Sequence, residues 1–280
     1  WIEKFKIHFI FTLYPGGGFQ VNNVEIDNKL RRIFSSPYFQ KVIVTQLYTK
    51  DYLINNQLCD PKKIFFVFGG VVPQKSINRQ LVNKEYYQSG KPTFDICFCA
   101  AKYTPLGEDK GYDVFIDYAN KIAGKFDFVR FHIIGGFTDN DIDVTSIFDR
   151  TIFYGYQDFE NLSSIYKLMD VIVSPNKPFV LRQGAFDGFP LGTVVEAVLN
   201  GVVALVTDNL NQNIFIDGEE LIIINNDSDH IFTKTVALIE NPFLLKEIAK
   251  NGRRAFISKT PDYMKPHKIK WKNEQNFLKM

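Results

Sequence analysis

The chain has 280 residues, 45% of them hydrophobic, and its 33 Lys and Arg against 31 Asp and Glu leave a formal charge of +2 at pH 7. This length allows one large domain or two small ones with a sizeable core. The balanced charge argues against a surface that coats nucleic acid. The longest apolar run, around residues 191–206, is broken by Glu196, Asn200 and Gly201, so it cannot span a bilayer. We expect a globular protein that binds no nucleic acid.

The cysteines and the start of the chain bear on its location. Three cysteines are an odd number without a disulfide pattern, and two of them, Cys97 and Cys99, would share one face of a strand. With no secretory signal in the sequence, this predicts the reducing cytoplasm. The chain opens at Trp1 within a stretch already patterned as structure, so we expect the natural protein to have residues before it.

The first region, residues 1–72, alternates strands with helices. Strands are predicted at 5–14, 41–45 and 64–68, and helices at 26–34 and 49–56. Residues 73–91 are polar and lack a sustained period, which is typical of a linker between domains. We therefore place a domain boundary there.

From residue 92 onward, buried strands alternate with helices. The strands are predicted at 94–100, 128–134, 151–154, 171–174, 203–206 and 221–224, and the helices at 111–123, 159–169, 191–200 and 229–240. This alternation predicts an α/β fold with a doubly wound, Rossmann-like parallel sheet over residues 92–258, followed by a tail at 259–280. Because such sheets bind ligands at the carboxyl ends of their strands, the loops after residues 100, 134, 154 and 174 should hold the site.

The most informative segment runs from residue 186 to residue 201 and has the sequence FDGFPLGTVVEAVLNG. Pro190 suits the first turn of a helix, and Gly192 and Thr193 leave the first-turn amides open to an anion such as a diphosphate. Glu196 has apolar neighbours on every side, so its carboxylate must be paired or must open onto a polar cleft. The spacing alone leaves a core ion pair with Lys or Arg equally open.

This segment closely resembles the signature of family 4 of the retaining glycosyltransferases, whose GT-B fold consists of two Rossmann-like domains. In that family an acidic residue precedes a Gly-Phe-Pro turn, and a Glu-Ala-Met-x-x-Gly helix follows. Residues 187–190 and 196–201 occupy those places here. The family separates two glutamates by seven residues, whereas this chain has Asp187 first and eight residues before Glu196.

Further matches extend the resemblance, in order, over roughly residues 94–255. Lys102 stands after the first strand where the family has Arg, which keeps a cation but loses the bidentate fork on phosphate. Lys110 and Gly111 match the Lys-Gly that opens the next helix. The remaining matches lie at 133–136, 152–156 and 168–175.

The resemblance implies transfer of a sugar from a nucleotide-diphosphate sugar to a hydroxyl of a carbohydrate or lipid-linked acceptor, with retention and without a metal or other cofactor. Lys102 and Lys110 would stabilise charge on the diphosphate. Asp187 would touch the donor sugar, and Glu196 would accept hydrogen bonds from the ribose. The other residues implied in donor binding are Gly135, Tyr154, Tyr156, Gly188, Phe189, Pro190, Leu191, Gly192 and Thr193. The resemblance also implies that residues 92–258 are the donor domain and that residues 1–72 are the C-terminal part of a truncated acceptor domain. The residues that would line the cleft from the acceptor side are His8, Gly16, Gly17 and Gly18.

Other interpretations of these residues stay open. A lysine at a helix start, such as Lys110, is more often a solvated charge, and a lone His in a strand, such as His132, is more often a satisfied core residue. The glycines at 16–18 lack the Gly-Lys-Ser/Thr ending of a nucleotide phosphate loop. The competing functions are a nucleotide-sugar-binding module that is inactive alone and another Rossmann enzyme, although no dehydrogenase Gly-x-Gly-x-x-Gly follows residues 94–100.

The tail after residue 261 places four lysines among aromatic residues: Lys265, Lys268, Lys270 and Lys272. Such a segment can lie on an anionic membrane, which would put the protein at the inner face of the membrane. The resemblance instead implies a C-terminal helix that crosses back onto the acceptor domain, and we favour that interpretation.

Overall fold

The computed structural model describes residues 2–15, 19–67 and 84–277, with side chains up to Lys259. Its first region holds a three-stranded parallel sheet, β1 (Phe9–Leu13), β2 (Phe39–Val44) and β3 (Ile64–Phe66), in that order. The helices of this region are α1 (Ile2–Phe5), α2 (Val24–Phe34) and α3 (Leu47–Asn55). A 3-10 turn, Pro61–Lys63, leads into β3.

The second region begins with two short paired strands, β4 (Tyr86–Tyr87) and β5 (Gly90–Lys91), and is built around a six-stranded parallel sheet. Its strands are β6 (Phe94–Cys99), β7 (Val129–Ile134), β8 (Thr151–Gly155), β9 (Val171–Ser174), β10 (Val203–Thr207) and β11 (Ile222–Ile224). The helices are α4 (Tyr112–Lys125), α5 (Phe159–Tyr166), α6 (Gly192–Leu199), α7 (Ser228–Glu240) and α8 (Pro242–Phe277). The predicted α/β fold is confirmed, and each predicted strand of this sheet agrees with an observed one to within one residue at either end.

The central strand β6 shows why this sequence forms such a sheet. All six of its residues are buried. Ile96 and Phe98 pack in one core with α4 and α7, and Cys97 and Cys99 pack in another with α5 and α6. Because successive strand side chains point to opposite faces, an apolar strand of this kind needs helices on both sides.

The strand order places a crevice at the carboxyl end of β6. The six strands are ordered β11-β10-β9-β6-β7-β8, so the chain moves outward through β7 and β8 and then returns to the other side of β6 with β9. The helices that follow β6 and β9, α4 and α6, pack in cores on opposite faces of the sheet. Open α/β sheets bind ligands in the crevice at such a point.

The start of the chain differs from its predicted element. A strand is predicted at 5–14, but Ile2–Phe5 is a helix and the strand begins at Phe9. Lys6 turns the chain with a φ of 53°, and pairing starts where Phe9 meets Phe39. Phe5 and Ile7 are exposed, so this stretch has no buried face that would hold it in the sheet.

Two predicted boundaries fall in parts of the chain that have structure. Of the linker at 73–91, residues 73–83 lie outside the described residues, and the remainder contains β4 and β5, with Tyr87 buried and stacked on Phe128 at 4.8 Å. Helix α8 continues without a break past residue 259, where the tail was predicted to begin. The tail lysines lie in this helix and their side chains are not described, so the division into domains and the membrane contact stay predictions. No described helix is both long and apolar enough to cross a membrane.

Candidate functional site

Two loops of the six-stranded sheet meet at the crevice where the strand order reverses. One follows β6 and leads to α4, and the other follows β9 and leads to α6. They touch at Gly111, where a Cβ atom would lie 2.0 Å from the carbonyl oxygen of Pro175 and where φ is +69°. Both facts require glycine. This contact brings the start of α4 beside the turn at residues 187–190.

Lys110 is a buried cation in this crevice. Its side chain belongs to a residue that is 5% exposed, and its Nζ forms an ion pair with Asp187. The same Nζ lies 3.5 Å from Oδ2 of Asp109 and 4.9 Å from the ring centroid of Tyr103. The structure therefore brings two of the predicted site residues together, and Lys110 is not a solvated surface charge.

The charges around Lys110 do not balance, because one ammonium faces two carboxylates. Asp109 is 3% exposed, and its other oxygen accepts a hydrogen bond from Thr104 Oγ1 at 2.9 Å. Asp187 is the freer of the two, with a side chain that is 35% exposed. An anionic ligand would therefore compete with Asp187 for the lysine.

Lys102, the other predicted phosphate cation, has a different partner. Its Nζ lies 2.5 Å from Oδ1 of Asp141, in the loop after β7. Burial raises the pKa of the Asp141 carboxyl, but hydrogen bonds from Lys102 and from the Thr138 amide bring that pKa below its ordinary value. Among the described contacts of Lys102 there is none with Lys110 or Asp187.

The turn that carries Asp187 is held by the first region of the chain. Gln46, which follows β2 and is 2% exposed, accepts a hydrogen bond from the Phe189 amide through Oε1 at 2.9 Å. Phe186, on the other side of Asp187, is buried in the core of the first region and packs edge-on against Tyr48, with ring centroids 5.3 Å apart. The position of Asp187 therefore depends on both regions.

The start of α6 leaves its first turn open. Pro190 was predicted in that turn, but Leu191 has extended backbone angles (φ −63°, ψ 153°) and the helix begins at Gly192, so Pro190 precedes it. Among the described residues, no side chain caps the helix and none lies within 4 Å of a Cβ atom built on Gly192. Thr193 Oγ1 donates to the Cys99 carbonyl at 3.1 Å, which holds this end of the helix against β6.

Glu196 is half-buried in α6. In the part of the chain that the structure describes, its carboxylate has no hydrogen bond or ion pair, so the alternative of a core pair with Lys or Arg has no described partner. Burial raises the pKa of its carboxyl above the ordinary value. The geometry leaves this carboxylate available to a ligand that donates hydrogen bonds.

The end of β8 carries the two predicted tyrosines. Tyr154 Oη lies 3.0 Å from Nδ1 of His132, whose Nε2 lies 2.8 Å from Asp95 Oδ1, so His132 is a satisfied core residue. Tyr156 is 69% exposed. Gly135, after β7, has a φ of +122°, and a Cβ atom there would lie 1.9 Å from a carbonyl oxygen just after β6.

A pocket opens between the turn at 187–191 and the loop after β10. It is lined by Ser174, Asn176, Lys177, Pro178, Asp187, Gly188, Phe189, Pro190, Leu191, Val194, Val206, Thr207, Asp208, Asn209, Leu210 and Gln212. The structure thus brings five predicted donor residues to one wall. Sequence reasoning missed the polar side chains at 176, 208 and 212, and their position after the carboxyl ends of β9 and β10 was the signal that could have found them.

Of the residues predicted on the acceptor side, the structure describes only His8, and it does not bring that residue to this crevice. His8 is exposed immediately before β1 and packs edge-on against Tyr38 at 5.7 Å, at the amino end of its sheet. The site residues follow the carboxyl ends of strands, so His8 lies at the wrong end. Gly16, Gly17 and Gly18 lie outside the described residues. Within the described ranges, no group of three or more His, Cys, Asp or Glu could hold a metal ion.

The sequence matches the family described as Glycosyl transferases group 1 over residues 94–241. No curated protein matches the chain. Among solved structures, a mutant of S. aureus TarM in complex with Fondaparinux, alpha-GlcNAc-glycerol and UDP is similar, with a TM-score of 0.69 and 17% identity over 95% of this chain and 50% of that chain.

Two further solved structures are similar over most of this chain. A glycosyltransferase from Rickettsia africae ESF-5 has a TM-score of 0.70 and 14% identity, over 97% of this chain and 78% of that one. Anabaena Alr3699/HepE, in complex with UDP and glucose, has a TM-score of 0.65 and 13% identity, over 95% of this chain and 73% of that one. At these sequence identities the similarity shows the fold alone, which is a partial GT-B arrangement. This chain spans half the length of TarM.

Proposed function

The chain belongs to the glycosyl transferases group 1 family, and from that premise we propose that it carries the donor site of a retaining glycosyltransferase of family 4. The proposed reaction transfers a sugar from a nucleotide-diphosphate sugar to a hydroxyl of a carbohydrate or lipid-linked acceptor, in polysaccharide or glycoconjugate synthesis. The observation that carries this proposal is the buried Lys110, held against Asp187 where the loops after β6 and β9 meet.

In this reaction the bond between the anomeric carbon and an oxygen of the β-phosphate breaks. The oxygen of the acceptor hydroxyl bonds to the same carbon on the same face of the ring, and its proton passes to the departing phosphate oxygen. Negative charge therefore builds on the β-phosphate as the bond breaks. A fixed cation in a crevice with little water stabilises that charge best.

Lys110 is the proposed cation. When the donor binds, the diphosphate takes the place of Asp187 beside the ammonium, and Asp187, with its more exposed carboxylate, turns to a hydroxyl of the sugar. The uncapped amides at Gly192 and Thr193 add the positive end of a helix dipole. Lys102 is proposed to approach the same phosphates after leaving Asp141.

The nucleoside is proposed to lie between α6 and the end of β8. The half-buried Glu196 supports this placement, because a carboxylate without a described partner can accept hydrogen bonds from two ribose hydroxyls. Tyr154 and Tyr156 would flank the base, and Gly135 would lie beside it, where it packs against the carbonyl oxygen just after β6. The backbone of residues 188–191 would face the sugar.

The function is tested by measuring the melting temperature of the chain with UDP, GDP and ADP, each with and without EDTA. UDP is the first choice because the TarM and HepE structures contain it. At 100 times its Kd, a nucleotide should stabilise the chain by about 2.7 kcal/mol. EDTA should not change this shift, because the proposed site neutralises phosphate with lysine and not with a metal.

A shift that disappears with EDTA would contradict metal-independent binding, and no shift with any nucleotide would contradict the donor site. Transfer is then assayed with UDP-glucose and carbohydrate acceptors. Binding without transfer to any acceptor would identify a nucleotide-sugar-binding module that is inactive alone.

Replacing Asp187 by Asn should tighten UDP binding by about 3- to 10-fold, because it removes the carboxylate that competes for Lys110. The same change should reduce the extra affinity that a sugar adds to UDP. Titration calorimetry with UDP and UDP-glucose measures both effects. Asp229→Asn, which removes an exposed partner of Lys121, is the matched control and should change neither affinity. Weaker UDP binding in Asp187→Asn would show that Lys110 does not exchange partners.

A further inference from the structure

Gln212 is buried in the wall of the pocket without a partner for its side-chain oxygen. The residue is 2% exposed and lines the pocket together with Asp187. Its Oε1 has no hydrogen-bond partner among the described residues. A buried polar atom left unsatisfied destabilises a fold, so a position of this kind needs a reason outside the chain's own hydrogen bonds.

The loop that carries Gln212 is firmly held, so a loose conformation does not explain the missing partner. Both oxygens of Asp208 accept backbone hydrogen bonds, from the amide of Gln212 at 2.7 Å and from the amide of Asn213 at 2.8 Å. The Asn213 side chain in turn exchanges two hydrogen bonds of 2.8 Å with the backbone of Phe215. The residue that carries the carboxamide therefore lies in a preorganised loop.

The opposite wall of the pocket is also fixed relative to this loop. Thr207 Oγ1 and Asn209 Nδ2 both donate to the carbonyl of Asn176, at 2.8 Å and 2.9 Å. These bonds join the loop after β10 to the loop after β9, which leads to Asp187. The two walls therefore form one site with a set spacing.

The charges of the pocket favour a hydroxyl group over a phosphate. Once the diphosphate has taken the place of Asp187 beside Lys110, Asp187 contributes an unpaired carboxylate to the pocket. Lys177, which also lines the pocket, is engaged at 2.6 Å by Asp113. An anion would meet repulsion there. A hydroxyl group both donates and accepts, so it can satisfy either end of a carboxamide while another hydroxyl donates to a carboxylate.

We propose that the Gln212 side chain binds a hydroxyl group of the sugar carried by the donor, opposite Asp187, and so helps to select that sugar. This inference rests on the proposed function, and it adds a second sugar contact from the loop after β10. Gln212 is then a specificity-determining residue, which binds the sugar and does not contact the nucleotide.

The test replaces Gln212 by Met, which keeps the length of the side chain and removes its hydrogen bonds. Calorimetric titrations use UDP, UDP-glucose and UDP-N-acetylglucosamine on the full chain. Gln212→Met should weaken binding of the preferred UDP-sugar by about 3- to 10-fold and leave UDP binding within about 2-fold of the unchanged protein. Its melting temperature should not fall, because no described hydrogen bond is lost. Gln57→Met, at an exposed position outside the pocket, is the matched control.

Each other outcome would overturn the inference. Equal affinities of the unchanged and Gln212→Met proteins for every UDP-sugar would mean that Gln212 does not contact the sugar. An equal loss for UDP and UDP-sugars would place it at the nucleotide. If Gln212→Met and a second variant, Gln212→Leu, both unfold, the residue is structural. Failure of the unchanged protein to bind UDP, GDP or ADP would refute the proposed function itself. The melting-temperature experiment shows this result on the unchanged protein, before any variant is made.

Discussion

Glutamine in place of Glu196 should weaken UDP binding by about 10- to 100-fold and leave the fold intact. A carboxylate that accepts hydrogen bonds from ribose hydroxyls contributes on the order of 1.5–3 kcal/mol, and Gln keeps the volume but loses the charge. The structure gives Glu196 no ion-pair partner among the described residues, so the substitution breaks no described salt bridge. Titration of Glu196→Gln with UDP and with 2′-deoxy-UDP measures the effect, and the preference for ribose should shrink.

The melting temperature of the ligand-free protein separates this role from a structural one. Breaking a buried ion pair would cost about 3–5 kcal/mol and lower the melting temperature by several degrees. Glu240→Gln, an exposed helical glutamate beside Lys125, is the control and should change neither melting nor binding. If the melting temperature of Glu196→Gln falls by several degrees while its preference for ribose over deoxyribose is unchanged, Glu196 is a structural core residue and does not bind the nucleotide.

The pH dependence gives an independent check on Glu196. Burial raises the pKa of its carboxyl, so the group becomes neutral at a higher pH than an ordinary glutamate. The UDP affinity of the unchanged protein should therefore fall as the pH falls through that raised pKa. The difference in UDP affinity between the unchanged protein and Glu196→Gln should become smaller over the same pH range. For folding the sign is opposite: the stability that the raised pKa contributes is fully present below the unfolded value and is lost as the pH rises through the folded value.

The six-stranded sheet could be predicted because its signal is local. Strand β6 has apolar residues at five of its six positions, and they lie on both faces, while the apolar residues of α4 recur at helical spacing. The first part of α8 was missed although Leu245, Ile248 and Ala249 are buried at that same spacing. Helix α1 gave no such signal, because none of its residues is buried.

The site could be predicted only where its residues lie in short motifs. Lys110, Asp187 and Glu196 each belong to a segment with its own pattern. Gln46 bonds to Phe189 across 143 positions of the chain, and the burial of Gln212 depends on how two loops meet. Contacts of this kind are set by tertiary packing, so a single sequence does not reveal them.

The balance of charge around Lys110 decides how that residue should be tested. Removing the lysine alone would leave Asp109, which is 3% exposed, and Asp187 without a cation. Loss of one partner from a buried ion pair destabilises the folded protein by about 3–5 kcal/mol. Weaker ligand binding by a variant without the lysine could therefore result from a damaged fold. Combining Lys110→Gln with Asp187→Asn removes one charge of each sign, keeps the net charge of this group of three side chains, and lets Gln donate to Asp109.

The double variant Lys110→Gln/Asp187→Asn should bind UDP about 10- to 100-fold more weakly than Asp187→Asn alone and should bind uridine equally well. The two proteins differ by one ammonium, which forms charge-assisted hydrogen bonds with the diphosphate and none with the nucleoside. Calorimetric titrations with UDP and uridine measure the difference, with melting curves to show that both proteins are folded. Lys121→Met, which removes a cation paired with Asp229, is the control and should leave UDP affinity unchanged. Equal losses for UDP and uridine in a folded double variant would mean that Lys110 supports the crevice without facing the phosphates, and the donor site proposed here would then lack its cation.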